Sequence, residues 1–128
     1  MGKEKTILLV EDEPLLANLL RQRLEREGFT VLLGRDGEEG LRILKESHPS
    51  LILLDIILPK VSGFEFMEKM RADPTIERVP IFIISNLGQE QDVKRGQELG
   101  ASGYFVKAQI SIEELVNQVK EFLYPSPA

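Results

Sequence analysis

The sequence predicts an α/β protein built on a doubly wound, parallel five-stranded sheet. Two observations lead to this fold class. Short apolar runs recur along the chain, and longer stretches with helical spacing lie between them. The runs contain almost no polar residues, which is typical of parallel strands buried on both faces. The alternation fits into 128 residues, so we expect a single (βα)5 domain.

Each predicted strand is a short run rich in β-branched or aliphatic residues. The first begins soon after the start of the chain, and the last precedes a lysine near residue 107. These strands are Ile7–Val10, Thr30–Leu33, Leu51–Leu54, Pro80–Ile84 and Tyr104–Val106.

A helix is predicted after each strand, from apolar residues spaced three or four apart. Three residue pairs resemble capping boxes at helix starts, in which two side chains satisfy unpaired amides. The fourth helix, about 88–99, is the least regular, because it has few apolar residues and contains Gly96. The apolar stripes are Leu16–Leu24, Leu41 with Leu44, Phe66 with Met70, and Ile112–Leu123, and the pairs are Asp36 with Glu39, Ser62 with Glu65 and Ser111 with Glu114.

Composition narrows the class of protein. Hydrophobic residues make up 42% and charged residues 29%, and the net charge is −5 without a basic cluster, so no direct nucleic-acid contact is expected. The absence of cysteine excludes disulfides and thiolate metal sites. No apolar run is long enough for a signal peptide or a membrane span, which predicts a cytoplasmic protein without membrane contact. We expect one domain over residues 1–124 and a tail over 125–128.

Polar side chains follow four of the predicted strands directly. Glu11 and Asp12 come after the first strand, Asp55 after the third, Ser85 after the fourth and Lys107 after the fifth. In open parallel sheets, ligands bind outside the carboxyl ends of the strands. These groups are therefore expected to meet at one edge of the sheet.

Three acids on one edge repel each other unless a cation lies among them, and oxygen ligands of this kind suit Mg²⁺. Lys107 adds a cation for a bound anion, and Ser85 adds a hydroxyl donor. Together these groups describe a phosphoryl-binding site, with Asp55 as the best nucleophile for an aspartyl phosphate. Taken singly, Asp12 or Glu13 could instead be only the N-cap of the first helix.

With these residues in place, the chain resembles the receiver domains of bacterial response regulators over nearly its whole length. Three stretches carry the resemblance, and they are Ile7–Glu13, Leu53–Pro59 and Gly100–Lys107. The resemblance implies a flavodoxin-like receiver fold with strand order 2-1-3-4-5. It also implies a phosphorelay switch rather than an enzyme, with only Mg²⁺-dependent self-phosphorylation and slow autodephosphorylation.

The resemblance assigns a role to each matching residue. Asp55 would accept the phosphoryl group, and Lys107 would bind one of its oxygens. Asp12 would ligate Mg²⁺ directly, Glu11 through metal-bound water, and Ile57 through its main-chain carbonyl. Ser85 would move to hydrogen-bond the phosphoryl group, and Tyr104 would change rotamer in response. Ser85 and Tyr104 would thus be the switch residues.

The implied partners are a sensor histidine kinase or phosphotransfer protein as donor, and a downstream effector protein. Both the effector and a homodimer would use the fourth helix, fifth strand and fifth helix. Several positions depart from the family pattern. Glu11 replaces an Asp and keeps its charge, and Ser62 replaces an Asp in the loop after Asp55. Asn86 stands where a small residue is usual, and Ala108 replaces a proline whose preceding bond is typically cis. For Ala108 we expect a trans bond with a shifted loop or a strained cis bond. Apolar Ile57 and Leu87 predict slow loss of the phosphoryl group.

Three other functions compete with this interpretation. A haloacid-dehalogenase-type phosphatase generally has a second acid where this chain has Ile57. A flavin mononucleotide carrier needs a phosphate-binding loop after the first strand, where Glu11–Glu13 would repel phosphate. A receiver-shaped interaction module that is not phosphorylated is the remaining alternative, and Asn86 and Ala108 are the residues that keep it open.

Overall fold

The computed structural model describes residues 5–125 and has the predicted architecture: five parallel strands in one sheet alternate with five helices. The sheet order is β2-β1-β3-β4-β5, as expected. The strands are β1 (Thr6–Val10), β2 (Thr30–Gly34), β3 (Leu51–Leu54), β4 (Ile81–Ser85) and β5 (Gly103–Val106). The helices are α1 (Pro14–Arg26), α2 (Gly37–Glu46), α3 (Gly63–Ala72), α4 (Glu90–Glu98) and α5 (Ile112–Leu123).

Helices cover both faces of the sheet, which explains why the central strands are apolar throughout. Every residue of β3 is fully buried, and β1 is buried from Ile7 onward. Alternate side chains of these strands point to opposite faces. Ile7 and Leu9 enter a core with α1 and α5, whereas Leu8 and Val10 enter a second core with α2 and α3.

The helix starts follow the predicted caps, although only one capping box is complete. Ser111 and Glu114 exchange both hydrogen bonds at the start of α5. Asp36 and Ser62 each accept a hydrogen bond from the amide three residues on. The Glu39 carboxylate, however, accepts from the amide of Arg35 instead of completing the box. Local capping therefore fixes these helix starts: the side chains satisfy two amides at α5, two at α2 and one at α3.

Four strands differ from prediction by one residue at an end. β1 begins at Thr6, β2 ends at Gly34, β4 is shifted to Ile81–Ser85, and β5 begins at Gly103. A short 3-10 helix, Lys107–Gln109, follows β5. No peptide bond within residues 5–125 is cis, so the bond between Lys107 and Ala108 is trans. The tail residues 126–128 lie outside the described residues. None of the helices within residues 5–125 is both long and apolar enough to span a bilayer.

Candidate functional site

Three acids meet at the carboxyl edge of the sheet because β1 and β3 are neighbours. The two strands pair in register with Val10 opposite Leu54, so the residues that follow them leave the sheet at the same level. Ligand oxygens of Glu11, Asp12 and Asp55 all lie within 4.8 Å of one another. Glu11 and Asp55 are buried and Asp12 is exposed. This confirms the predicted convergence of the three side chains.

The position of Asp55 is fixed by main-chain contacts. Its amide donates to the carbonyl of Val10 at 3.1 Å, which continues the ladder between β1 and β3. The amide of Ile57 donates to Asp55 Oδ1 at 3.2 Å. Gly63, the first residue of α3, lies so close that a Cβ there would stand 2.3 Å from the Asp55 carbonyl oxygen. Asp55 Oδ1 therefore accepts a hydrogen bond from the main chain, and Oδ2 accepts one from Lys107.

Lys107 lies at the centre of the acids. Its Nζ is 2.8 Å from Asp55 Oδ2, 3.0 Å from Glu11 Oε1 and 3.1 Å from Glu13 Oε1. The side chain is only 13% exposed. The peptide bond between Lys107 and Ala108 is trans, which is one of the two predicted geometries. Lys107 remains in contact with Asp55.

Burial and neighbouring charges shift the pKa values of Glu11 and Lys107. Burial of Glu11, together with the nearby charge of Asp55, raises the pKa of its carboxyl to about 7, although Lys107 partly opposes the shift. Burial alone would lower the pKa of Lys107. Its hydrogen bond to Asp55 and its contact with Glu11 outweigh burial and raise that pKa above the ordinary lysine value. Lys107 therefore remains cationic at neutral pH, where Glu11 is only partly ionised.

The acids have the character of a divalent-cation site. Glu11 Oε1 is buried and accepts no aligned hydrogen bond from residues 5–125, and its contact with Lys107 is an ion pair. A buried oxygen with unmet acceptor capacity is costly unless a donor or a cation satisfies it. Carboxylate oxygens from three residues at this separation fit a hard cation such as Mg²⁺.

An open cavity of about 140 Å³ gives access to Asp55. Ile57 is 57% exposed at its rim, and Asn86 is exposed on the opposite loop. Leu87 packs instead against the core on the α2 and α3 face. Of the two apolar residues from which slow loss of the phosphoryl group is predicted, Ile57 therefore lines the cavity and Leu87 does not. The cavity is lined by Asp12, Glu13, Asp55, Ile57, Asn86 and Lys107.

Ser85 and Tyr104 lie behind the cavity and are linked to each other. Ser85 is fully buried, and its Oγ accepts a hydrogen bond from the amide of Leu87 at 3.2 Å. The Tyr104 hydroxyl donates to the carbonyl of the same Leu87. Burial, and then the charges of Asp92 and Asp55, raise the pKa of Tyr104, while Ser85 opposes the shift. The loop after β4 thus connects the two predicted switch residues.

Glu13 is the site residue whose contact the sequence did not predict. It occupies the N-cap position of α1, but its side chain makes no capping hydrogen bond. Its carboxylate instead reaches Lys107 from the solvent side, with 56% of the side chain exposed. The sequence does contain a hint of this contact, because Glu13 is the third acid in a row after β1. Helix-cap statistics favoured a local role for it over a contact across the sheet edge.

Known proteins match this chain in both sequence and structure. The family model described as response regulator receiver domain matches residues 7–120. The polar-differentiation response regulator DivK of Brucella ovis is 32% identical over 119 residues, which cover 93% of this chain and 96% of DivK. The chain spans about half the length of the transcriptional regulators that it also matches.

Two solved structures are similar over almost their full length. The phosphorylated cyanobacterial phytochrome response regulator RcpA superimposes with a TM-score of 0.85 at 30% identity, covering 98% of each chain. The Mn²⁺-bound form of response regulator Rcp1 gives a TM-score of 0.83 at 27% identity, covering 97% of each chain. The match to the family model extends from β1 into α5. The chain belongs to the response regulator receiver domain family.

Proposed function

We propose that this receiver domain, residues 1–124, takes a phosphoryl group onto Asp55 from a phosphohistidine of a sensor histidine kinase or phosphotransfer protein. One observation carries the proposal: Asp55 is buried in a cluster of acids that could bind a cation, yet it borders an open cavity and lies 2.8 Å from Lys107. A nucleophilic carboxylate needs a positive environment and a path for its substrate, and this arrangement supplies both.

In the transfer, an Asp55 carboxylate oxygen forms a bond to phosphorus as the phosphorus–nitrogen bond of the phosphohistidine breaks. The bonding electron pair remains on the imidazole, which leaves with the donor protein. Lys107 is placed to bind an oxygen of the transferred group, because its Nζ already contacts the attacking carboxylate. Asp55 Oδ1 is oriented by the Ile57 amide during the attack.

Mg²⁺ is the cofactor we propose, held by Glu11, Asp12, Asp55 and the main-chain carbonyl of Ile57. The fit rests on the three clustered carboxylates and on the buried Oε1 of Glu11, which pairs with Lys107 but accepts no aligned hydrogen bond within residues 5–125. When bound, the ion would neutralise negative charge on the phosphoryl group and the acids. The similarity to Mn²⁺-bound Rcp1 supports a divalent cation in this chain.

Switching would run through the loop after β4. Ser85 would turn toward the phosphoryl group and release the Leu87 amide, and Tyr104, bonded to the same residue, would respond. Tyr104 lies on β5 beneath α4, so the change would reach the face formed by α4, β5 and α5. We propose that a downstream effector protein binds this face, which could also support a homodimer.

The unphosphorylated interaction module remains the second candidate, favoured only by Asn86 at the cavity. The test is incubation with Mg²⁺ and acetyl phosphate, followed by intact-mass measurement. We expect one phosphoryl adduct in the wild type and in the control Asp73→Asn, which lies outside the cluster. Asp55→Asn should form none. The absence of an adduct in the wild type, with acetyl phosphate and with a phosphorylated histidine phosphotransfer protein, would favour the interaction module.

A further inference from the structure

Lys107 Nζ is surrounded by carboxylates before any phosphoryl group arrives. It donates hydrogen bonds to Asp55 and Glu13 and forms an ion pair with Glu11, and all three carboxylates lie within 3.1 Å of Nζ. For Lys107 to bind a phosphoryl oxygen, one of the three contacts must open. The carboxylate that yields will influence how readily the phosphoryl group is accepted.

The three carboxylates differ strongly in exposure. The side chains of Glu11 and Asp55 are 0% and 4% exposed, whereas that of Glu13 is 56% exposed. Water can solvate Glu13 after it leaves Lys107, but it cannot reach the two buried acids to the same degree. Glu13 is therefore the partner that is released most readily.

Glu13 also charges the opening through which a donor must pass. It lines the cavity beside Asp55, and no capping bond holds its side chain at α1. A phosphodonor approaching Asp55 therefore meets a carboxylate that repels it and that competes with it for Lys107. The repulsion is greatest for a small donor whose charge is concentrated on the phosphoryl group.

We propose that Glu13 is a specificity-determining residue: by occupying Lys107 and charging the opening, it slows phosphorylation by small anionic donors. A protein donor would be affected less, because its docking contacts can displace Glu13 from Lys107. This inference rests on the proposed phosphorylation of Asp55.

The test measures phosphorylation rates of the wild type and of Glu13→Gln, which keeps the size of the side chain but removes its charge. The donors are acetyl phosphate, a dianion near neutral pH, and phosphoramidate, which carries less charge, both at saturating Mg²⁺. We expect Glu13→Gln to react about three- to tenfold faster with acetyl phosphate, and to gain less with phosphoramidate. The gain should shrink at high ionic strength because salt screens exposed charges. Glu121→Gln, the same charge change on α5, should behave as wild type.

Several outcomes would overturn the inference. A wild-type adduct with no acceleration in Glu13→Gln would refute it while leaving the proposed function intact. Equal gains with both donors at every salt concentration would mean that charge is not the cause. A higher Mg²⁺ requirement in Glu13→Gln would make the residue a metal-positioning group instead. If neither protein forms an adduct with either donor, the inference falls together with the proposed function.

Discussion

Lys107 Nζ lies 2.8 Å from Asp55 Oδ2 and joins the last strand of the sheet to its centre. β5 and β3 are separated by β4, so only a long side chain can bridge their ends. The contact means that the proposed phosphoryl-accepting carboxylate has a cationic partner before any metal or phosphoryl group binds. Stability and function are therefore linked at this pair.

We predict that Lys107→Met destabilises the metal-free protein by about 1–3 kcal/mol, because it leaves buried Glu11 and Asp55 without a cation. Millimolar Mg²⁺ should reduce this loss, since the ion replaces part of the missing positive charge. Chemical denaturation with EDTA or with Mg²⁺ measures both effects. Lys94→Met, an exposed lysine on α4, is the control and should change little. An equal loss in both conditions would argue against a metal at this cluster.

A second prediction concerns pH and Glu11, whose pKa is raised to about 7 from an ordinary 4.5. Between these values the unfolded chain loses its proton first, so the native state binds more protons and loses stability as pH rises. The full cost is present above about 7 and is absent below 4.5. Glu11→Gln should therefore stabilise the metal-free protein at pH 8 by about 1–3 kcal/mol, and much less near pH 5.

Denaturation in EDTA at the two pH values measures this difference, and Glu25→Gln on α1 serves as a control with an exposed acid. With Mg²⁺ present, the advantage of Glu11→Gln should fall or reverse, because the wild-type carboxylate then has a cation to face. A gain of equal size at pH 5 and pH 8 would contradict the ionisation argument.

Most of the fold followed from the sequence because the apolar pattern is strong. Nearly unbroken runs such as Leu51–Leu54 can be satisfied only by burial on both faces. The convergence of Glu11, Asp12 and Asp55 also followed, since the ends of neighbouring parallel strands must meet. These features depend on periodicity and topology, which a single sequence carries.

The features that the sequence did not predict depend on the path of loops. Nothing local indicates that the loop after β4 turns Leu87 into the core and Asn86 toward the cavity. The contact between Glu13 and Lys107 joins residues far apart in the sequence, and it requires a particular side-chain direction at the start of α1. Tertiary packing decides both, whereas local preference favoured a helix cap for Glu13.

A third prediction tests the packing of α4 on the switch residue Tyr104. Gly96 is the buried residue of this helix, and a Cβ there would lie 2.8 Å from Ile83 Cδ1 and 3.0 Å from Tyr104 Cδ2. Alanine normally favours a helix by about 1 kcal/mol over glycine. Here the clash should cost about 2 kcal/mol and outweigh that gain, so we expect Gly96→Ala to destabilise the protein by about 1 kcal/mol.

A double-mutant cycle with Tyr104→Ala isolates the cause. Without the aromatic ring, Gly96→Ala should become neutral or stabilising, because the helical preference of alanine is then opposed only by the end of Ile83. Urea denaturation of the four proteins gives the coupling energy. Additive effects would show that the Tyr104 ring does not limit the space at Gly96 of α4.

The last prediction concerns the lifetime of the phosphorylated form. Hydrolysis needs a water aligned with the phosphorus of phospho-Asp55, and Ile57 at the cavity rim has no group to orient one. We expect the purified phosphoprotein to persist for longer than a minute. Ile57→Asn should shorten that lifetime by about two- to tenfold, less than a positioned general base would.

Asn86 is the neighbouring amide that could orient such a water, because it lines the same cavity. Asn86→Ala should therefore lengthen the lifetime, while Leu19→Asn, an exposed apolar position on α1, should leave it unchanged. Decay of the adduct is followed by intact mass after removal of the phosphodonor. A wild-type lifetime of seconds, or equal decay in all four proteins, would show that these two side chains do not control access of water to Asp55.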